Sequence, residues 1–445
     1  MNKINGQIES TTVAFEDFAK YNEQVVTVKG YIHRIREMTG FSFIILRTHN
    51  QTIQCVYAPE FSSYRFDETI TEETCVEVKG KVVCSKDAKG NDRYEIQIHD
   101  IKVLSRPKEL LPIVVNKKQL DNIQLNTILD LRPISLRNPK QRAIFKIQEG
   151  IQRGFREFLS KNNFTEIHSP KINFAGAEGG TNVFKLDYFG KEVFLAQSPQ
   201  LYKQAMVGVY ERVFEIAPVF RAEHHDTSRH LNEYISMDFE MGFIDSFEDI
   251  MNMETGALKY IMNLLKTEYQ NEVELLKIDI PEIDSIPSMK FMEAKELLMK
   301  KFKYQPTDMK DFDPQEEELL GKYAKKELNS DFIFITHYPS KKRPFYTMDD
   351  PNDPEYTLSF DLLFRGLEIT SGGQRVNDYD TQVAKMVKCG MNPELFETYL
   401  MFHKYGAPPH GGLGLGLERL TMHLLGFKNV REATLFPRDI NRVTP

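Results

Sequence analysis

Between Phe220 and Met241 the sequence reads FRAEHHDTSRHLNEYISMDFEM, which sets two arginines, three histidines and several acids among alternating apolar residues. Strand alternation places Glu215, Arg221 and Glu223 on one face and Phe214, Ile216 and Phe220 on the other. It groups Tyr234, Ser236, Asp238 and Glu240 against Ile235, Met237, Phe239 and Met241. Two such strands joined by HHDTSRHLN make a floor of cations and acids. Arg221 could grip a phosphate with two parallel hydrogen bonds, and Tyr234 could stack on a base. A solvated hairpin in a half-exposed sheet would show the same pattern.

Three other stretches carry chemistry. In QSPQLYKQ, Ser198 and Pro199 suit the N-cap and first position of a helix, which puts Gln200 and Lys203 on one face. A buried Lys203 would need a carboxylate, from Asp238 or a ligand; a surface lysine is the plainer alternative. In SFDLLFRGLEITSGGQR, a turn at Arg365-Gly366 sets Leu363 opposite Glu368, with Asp361 diagonal on the same face. Those carboxylates repel unless a proton or divalent cation intervenes, and oxygen ligands suit Mg2+ shared with phosphates. Two separately solvated acids would fit as well. Ser371 and Arg375 continue that strand. In PPHGGLGLGLERL, four glycines before a helix bearing Arg419 suggest a turn that a phosphate could approach. The stretch matches neither the P-loop nor the dinucleotide fingerprint.

The elements that must position these residues follow from periodicity. QVVTVKGYIHRI, FSFIILRT, TIQCVYA, TCVEVKGKVVC and YEIQIHDIKVLS read as five strands, so residues 1–105 are expected to form an OB-fold β-barrel. Residues 106–135 read as a hinge. Ile144, Ile147, Ile151, Phe155 and Phe158 recur at helical spacing. Ser246 and Asp249 resemble a capping box, and Asp313-Pro314 could open another helix. Strands and helices in irregular order across 136–445 predict an α+β domain with an antiparallel sheet flanked by helices.

Composition narrows the class. With 445 residues and 41% hydrophobic content, two or more globular domains are expected. The polar start MNKINGQIESTT and the lack of a long apolar run predict neither signal peptide nor membrane span. Cys55, Cys75, Cys84 and Cys389 show no metal-ligand spacing, which fits a reducing cytoplasm. A net charge of −7 argues against a wholly basic nucleic-acid binder, though a local basic face can still hold a phosphate backbone.

FTEIHSP with Pro170, FRAE…HLNEYISMDFEM and GLGLGLERL resemble motifs 1, 2 and 3 of the class II aminoacyl-tRNA synthetases, near 164–170, 212–242 and 411–424. With AEGGTNVF, QSPQLYKQ and SGGQR, the chain resembles aspartyl-tRNA synthetases of the archaeal and eukaryotic type over nearly its whole length. That resemblance implies ATP, L-aspartate and tRNA(Asp) as substrates, Mg2+ as cofactor, and a homodimer through the motif around Pro170. It implies that Arg221 holds the α-phosphate and the aspartate carboxylate, Glu223 reads the adenine amine and Tyr234 stacks on adenine. Arg229, His230 and Leu231 would lie on the ATP loop. Arg419 and Gly416 would complete the ATP site, with Arg419 on the γ-phosphate. Asp361, Glu368 and Ser371 match the magnesium residues.

For aspartate, the resemblance implies that Glu178 meets the α-ammonium. Lys203 and Arg375 would clamp the side-chain carboxylate, with Gln200, Asp238 and Ser371 around them. Lys203 carries the choice of aspartate over asparagine, because asparaginyl enzymes lack it. In the barrel, Phe43 matches a base-stacking aromatic and Gln54 the reader of the central uracil. His33 lies on the side expected for the wobble base, and with Lys86 it leaves open whether tRNA(Asn) is also charged. Residues 270–330 match no motif. A tRNA-independent ligase would be expected to lose the barrel, and a non-catalytic single-strand binder to lose Arg221, Glu368 or Arg419; all are present.

Overall fold

The computed structural model describes residues 12–49, 51–65, 70–86, 90–117, 120, 122–174 and 182–445. The chain divides into two compact units, Met1–Lys118 and Gln119–Pro445. In the first, β1 (Val25–Met38), β2 (Phe41–Arg47), β3 (Thr52–Tyr57), β4 (Cys75–Lys86) and β5 (Asp92–Ser105) close a barrel in the order β1-β2-β3-β5-β4. Alternation sends Val26, Val28, Ile32, Ile44, Leu46 and Ile53 inward to a continuous core. Closure pairs every strand and so leaves no open sheet edge.

The second unit opens with α1 (Leu125–Asp130) and α2 (Arg132–Ser135). The expected hinge is therefore partly folded structure. Arg132 is fully buried and donates from Nε to the Leu435 carbonyl at 2.8 Å and from Nη2 to that of Thr434 at 2.6 Å. A buried guanidinium with these acceptors ties the segment to the C-terminal tail. Helix α3 (Pro139–Lys161) is capped by Asn138, and Ile147, Ile151, Phe155 and Leu159 line its buried face.

Next come β6 (Thr165–Glu166), β7 (Ile172–Asn173), β8 (Lys185–Tyr188), β9 (Lys191–Leu195), α4 (Gln200–Tyr210), β10 (Arg212–Phe220) and β11 (Glu233–Gly242). Helices α5 (Glu248–Glu268) and α6 (Gln270–Leu276), strand β12 (Ser288–Lys290), helices α7 (Phe291–Phe302) and α8 (Pro314–Glu327) and strand β13 (Phe332–Thr336) follow. The chain ends through β14 (Asp349–Asp350), β15 (Asp353–Thr357), β16 (Ser359–Phe364), β17 (Leu367–Gln374), α9 (Tyr379–Lys388), α10 (Glu397–Lys404), β18 (His410–Gly416) and α11 (Leu417–Leu424). Of the two expected caps, the one at Asp313 forms; α5 has Phe247 at its N-cap position and no side-chain cap there. Ser246 Oγ accepts from Glu248 N at 3.2 Å while Asp249 accepts from Ser246 N at 3.3 Å. Asp313 and Glu316 make a reciprocal box on α8.

The main sheet has eight strands in the order β12-β13-β16-β17-β18-β11-β10-β6. From β13 to β10 every pair is antiparallel, as expected, but β12–β13 and β10–β6 are parallel. Parallel neighbours need long crossovers, and both pairs have helices between their strands. Helix α8 lies directly on the β16–β17 turn. A Cβ on Gly321 would meet Gly366 N at 2.4 Å, and Gly366 itself has φ +82°. That close approach brings the unassigned region 270–330 to the sheet end where the candidate site forms.

Candidate active site

The β10–β11 register pairs Glu215 with Asp238, Ala217 with Ser236 and Val219 with Tyr234, so alternation grouped the charged face correctly. That face is not solvated: Glu215 and Asp238 are 2% exposed and Glu240 is 0% exposed. Glu215 serves another purpose. Its carboxylate accepts from Ser169 N at 2.7 Å and Ser169 Oγ at 2.6 Å, which fixes the chain beside Pro170.

The glycine run is a central strand, β18, rather than the expected turn. The physical reason lies in its neighbours. A Cβ on Gly412 would meet Glu240 Oε2 at 2.3 Å, and one on Gly414 would meet Asp238 Oδ1 at 2.9 Å. These glycines make room for carboxylates inside the sheet layer.

Those carboxylates hold the two expected cations. Helix α4 starts one residue later than its sequence suggests, and Ser198 Oγ accepts from Gln200 N at 3.1 Å. Lys203 is 1% exposed and donates to Asp238 Oδ1 at 3.0 Å and to the Leu413 carbonyl at 2.8 Å. Arg375 donates to Glu240 Oε1 at 2.8 Å, to the Gly412 carbonyl at 2.9 Å and to Gln200 Oε1 at 3.5 Å. Glu240 also lies 3.3 Å from Lys203 Nζ, so it bridges the pair. Burial pushes the Glu240 carboxyl up, but Arg375 and Lys203 overcome that and hold it below the usual range. Sequence reading placed Glu240 on the charged face without giving it a role. Its signal was the size gap at Gly412, visible only once β18 and β11 are neighbours.

Beside this pair opens a cleft of ≈ 340 Å³. Arg221, Glu223, Arg229, His230, Leu231, Tyr234, Glu368, Ser371, Gly416 and Arg419 all line it. Gln200, Lys203, Asp238, Asp361 and Arg375 are not in that lining. Ser236 links the two regions, since it lines the cleft and donates to Asp238 Oδ2 at 2.6 Å. Burial and the Arg419 charge push the His230 imidazole down, which favours its neutral form. Arg419 donates to the Glu368 carbonyl at 3.0 Å.

At the far wall, Leu363 stands opposite Glu368 and Asp361 opposite Ser371, with a bulge between Leu362 and Leu363. Arg365 and Gly366 both have positive φ, 49° and 82°, as a two-residue hairpin turn requires. A residue that sequence reading missed joins them. Arg343 donates to Asp361 Oδ2 at 2.7 Å and Ser371 Oγ at 2.8 Å, and its guanidinium lies 3.9 Å from the Tyr338 ring centroid. Glu317 of α8 was missed too; it pairs with Arg229 at 3.3 Å, and burial with the Glu368 charge pushes its carboxyl up to about 7.

The carboxylate group fits a hard divalent cation. Asp361 Oδ1 is buried without a hydrogen-bond partner. Burial and the nearby Asp361 charge push the Glu368 carboxyl up, a strain that a cation would relieve. Softer metals have a different candidate: Glu223, His225 and His230 bring three ligand atoms within 4.8 Å of one another.

On the barrel, Phe43 faces Val56 and Gln54 faces Ile45 across β2 and β3, so Phe43 and Gln54 share the outer face. The Gln54 amide is engaged, donating to Glu95 at 2.9 Å and accepting from Arg93 at 2.6 Å. His33 is 8% exposed, not a surface group, with Nδ1 3.3 Å from Arg47 Nη1. Arg47 in turn makes a buried pair with Glu73 at 2.5 Å and lies 5.2 Å from the Tyr31 ring. Lys86 pairs with Asp92. Exposed Arg34 and Arg36, opposite Ile45 and Phe43, were not singled out from sequence. Glu178 lies outside the described residues.

The chain matches the family model of class II tRNA synthetases (D, K and N) over residues 124–440, and that of the OB-fold nucleic acid binding domain over 26–104. It is 44% identical to the aspartate–tRNA(Asp/Asn) ligase of Deinococcus radiodurans, covering 96% of this chain and 98% of that protein. It is 40% identical to the aspartate–tRNA(Asp) ligase of Pyrococcus abyssi, with 95% and 97% covered. It superimposes on the asparaginyl-tRNA synthetase of Pyrococcus horikoshii with asparaginyl-adenylate at a TM-score of 0.88 and 29% identity, covering 98% and 99% of the two chains. The buried cation pair, the cleft beside it, the barrel and these matches lead to one conclusion: the chain belongs to the class II tRNA synthetases of the D, K and N group.

Proposed function

We propose that this chain is an aspartate–tRNA ligase: it activates L-aspartate with ATP and transfers the aspartyl group to tRNA(Asp). The observation that carries the reading is the buried Lys203–Arg375 pair bridged by Glu240. A site that holds two desolvated cations for a carboxylate discriminates strongly against the neutral amide of asparagine.

In this reading ATP occupies the cleft, with adenine between Tyr234 and Arg419 and its amine at Glu223. Arg229, His230, Leu231 and Gly416 border the phosphates and ribose. Glu178 receives the substrate ammonium, and Gln200, Asp238 and Ser371 orient the clamp. The aspartate α-carboxylate attacks the α-phosphorus in line, the bond to the β-phosphate oxygen breaks, and pyrophosphate leaves. Arg221 holds the attacking carboxylate and the α-phosphate together, so its contribution is positioning and charge stabilisation. Asp361, Glu368 and Ser371 would hold Mg2+, which supplies charge neutralisation to the triphosphate. The terminal ribose hydroxyl of tRNA then attacks the aspartyl carbonyl, and AMP leaves.

Phe43 and Gln54 read the anticodon, and Gln54 must exchange a partner to do so. A homodimer is supported by exposed apolar residues around β7–β9, with Phe174 74% exposed and Phe189 90% exposed. The enzyme works in the cytoplasm. ATP–pyrophosphate exchange with aspartate, asparagine and lysine tests activation: exchange with asparagine in place of aspartate would refute it.

A second reading adds tRNA(Asn) as substrate. It is favoured by the Asp/Asn name of the Deinococcus relative. Charging pure tRNA(Asp) and tRNA(Asn) separately decides between the two.

A further inference from the structure

The loop between β10 and β11 carries a chemical group that the proposed reaction does not use. His225 lines no part of the cleft, yet its ring lies 5.1 Å from that of His230. One ligand atom each from Glu223, His225 and His230 falls within 4.8 Å of the others. We propose that these three residues form a site for a borderline-soft divalent cation, Zn2+, and that its occupancy excludes the adenine ring of ATP. The second clause rests on the reading of the cleft as the ATP site.

Ligand chemistry selects the metal. Two imidazoles and one carboxylate, with a fourth position open, suit Zn2+, whereas Mg2+ prefers oxygen donors and retained waters. Bonds of about 2.0 Å set tetrahedral ligand atoms roughly 3.3 Å apart, so binding draws the three together from their present spacing within 4.8 Å. The backbone at Glu223 and at Thr227 and Ser228, on either side of His225, is held. Asn232 Nδ2 donates to the Glu223 carbonyl at 3.0 Å. Val430 N donates to the Ser228 carbonyl at 2.9 Å, and Arg431 donates to that of Thr227 at 3.1 Å. Thr227 Oγ1 lies 2.6 Å from His230 Nδ1, an outer partner that orients the ring and leaves Nε2 for a metal.

Nearby cations oppose a metal ion, but each has an acid beside it: Arg229 pairs with Glu317 at 3.3 Å and Arg419 lies 3.8 Å from Glu368. Glu223 and His230 line the cleft. A metal drawn between them takes the carboxylate that would read adenine.

The test uses full-length, untagged enzyme. Zn2+ affinity is measured by calorimetry, and Co2+ substitution is followed by the visible absorption of a tetrahedral centre. Adenosine serves as competitor because it has no phosphate to chelate the metal. The expected result is a tetrahedral Co2+ spectrum in the wild type, displaced by adenosine. His225→Ala should weaken Zn2+ binding at least about tenfold, since losing a ligand costs no less than losing an outer partner. Its ATP–pyrophosphate exchange in zinc-free buffer should stay unchanged, as His225 touches no substrate in the proposed mechanism. Unchanged Zn2+ affinity in His225→Ala overturns the site. A His225-dependent metal that adenosine does not displace overturns the exclusion. Failure of the ATP reading shows separately, as absent exchange in zinc-free buffer.

Discussion

Arg343 donates a hydrogen bond of 2.7 Å to Asp361 Oδ2, while the other oxygen of that carboxylate is buried without a partner. The arginine thus fixes the carboxylate plane and leaves Oδ1 for another ligand. Its second donation, to Ser371, orients the next proposed magnesium residue.

Replacing Arg343 with lysine is expected to raise the Mg2+ concentration for half-maximal exchange. Lysine offers a point charge and cannot bridge two acceptors in a plane. An outer partner of this kind is worth roughly 10–100-fold in metal affinity. The Mg2+ titration is the informative readout, with the KM for aspartate measured alongside. An equal loss of kcat at every Mg2+ level, with half-saturation unmoved, would reduce Arg343 to a structural group.

Lys203 sits between Asp238 and Glu240 with its side chain 2% exposed. Lys203→Gln is expected to lower kcat/KM for aspartate activation by about 10³-fold or more, without creating exchange for asparagine. Removing the cation also leaves buried Asp238 with Ser236 as its remaining partner and Glu240 with Arg375, which costs on the order of 3–5 kcal/mol of stability. Measuring Tm beside exchange separates the two effects. Retained aspartate exchange in a folded variant would remove Lys203 from the clamp.

Glu254 of α5 is fully buried, both its oxygens lack a geometric partner, and burial pushes its carboxyl up to about 8. The folded state therefore keeps a proton that the unfolded state releases above its ordinary pKa near 4.5. Stability is fully present below that value and falls as pH rises towards 8. Between pH 5 and pH 8 this group alone costs up to roughly 3 kcal/mol. Glu254→Gln should flatten the fall of Tm over that interval. Parallel Tm–pH curves for wild type and variant would show that Glu254 does not titrate in this window.

Much of this site was legible because short-range rules governed it. Alternation grouped Ser236 with Asp238 and Glu240, and the Arg365-Gly366 turn set Leu363 against Glu368, a register the structure repeats. What stayed hidden depended on distant packing. Gly412 needs β11 as its neighbour before its missing side chain has meaning. Arg343 lies 18 residues from Asp361 in a stretch without motif or periodicity. Glu317 reaches the site only because α8 rests on Gly366. Arg132 reads as a linker residue until the C-terminal carbonyls that bury it are in place.

The outer face of the barrel offers the last prediction. Arg34 stands opposite Ile45, and Arg36 opposite Phe43, on the strand next to the proposed anticodon readers. Both are exposed. A chain with net charge −7 needs a local positive surface to hold a polyanion, and two arginines beside a stacking aromatic supply one. Arg34→Ala/Arg36→Ala should weaken tRNA binding and reduce the slope of log affinity against log salt by about one to two. Exchange of ATP and pyrophosphate without tRNA should be unaffected, because neither residue belongs to the second unit. Phe43→Ala should instead weaken binding with little change in salt slope, since stacking releases no counterions. Identical salt slopes for the double variant and wild type would move the phosphate contact to another face of the barrel.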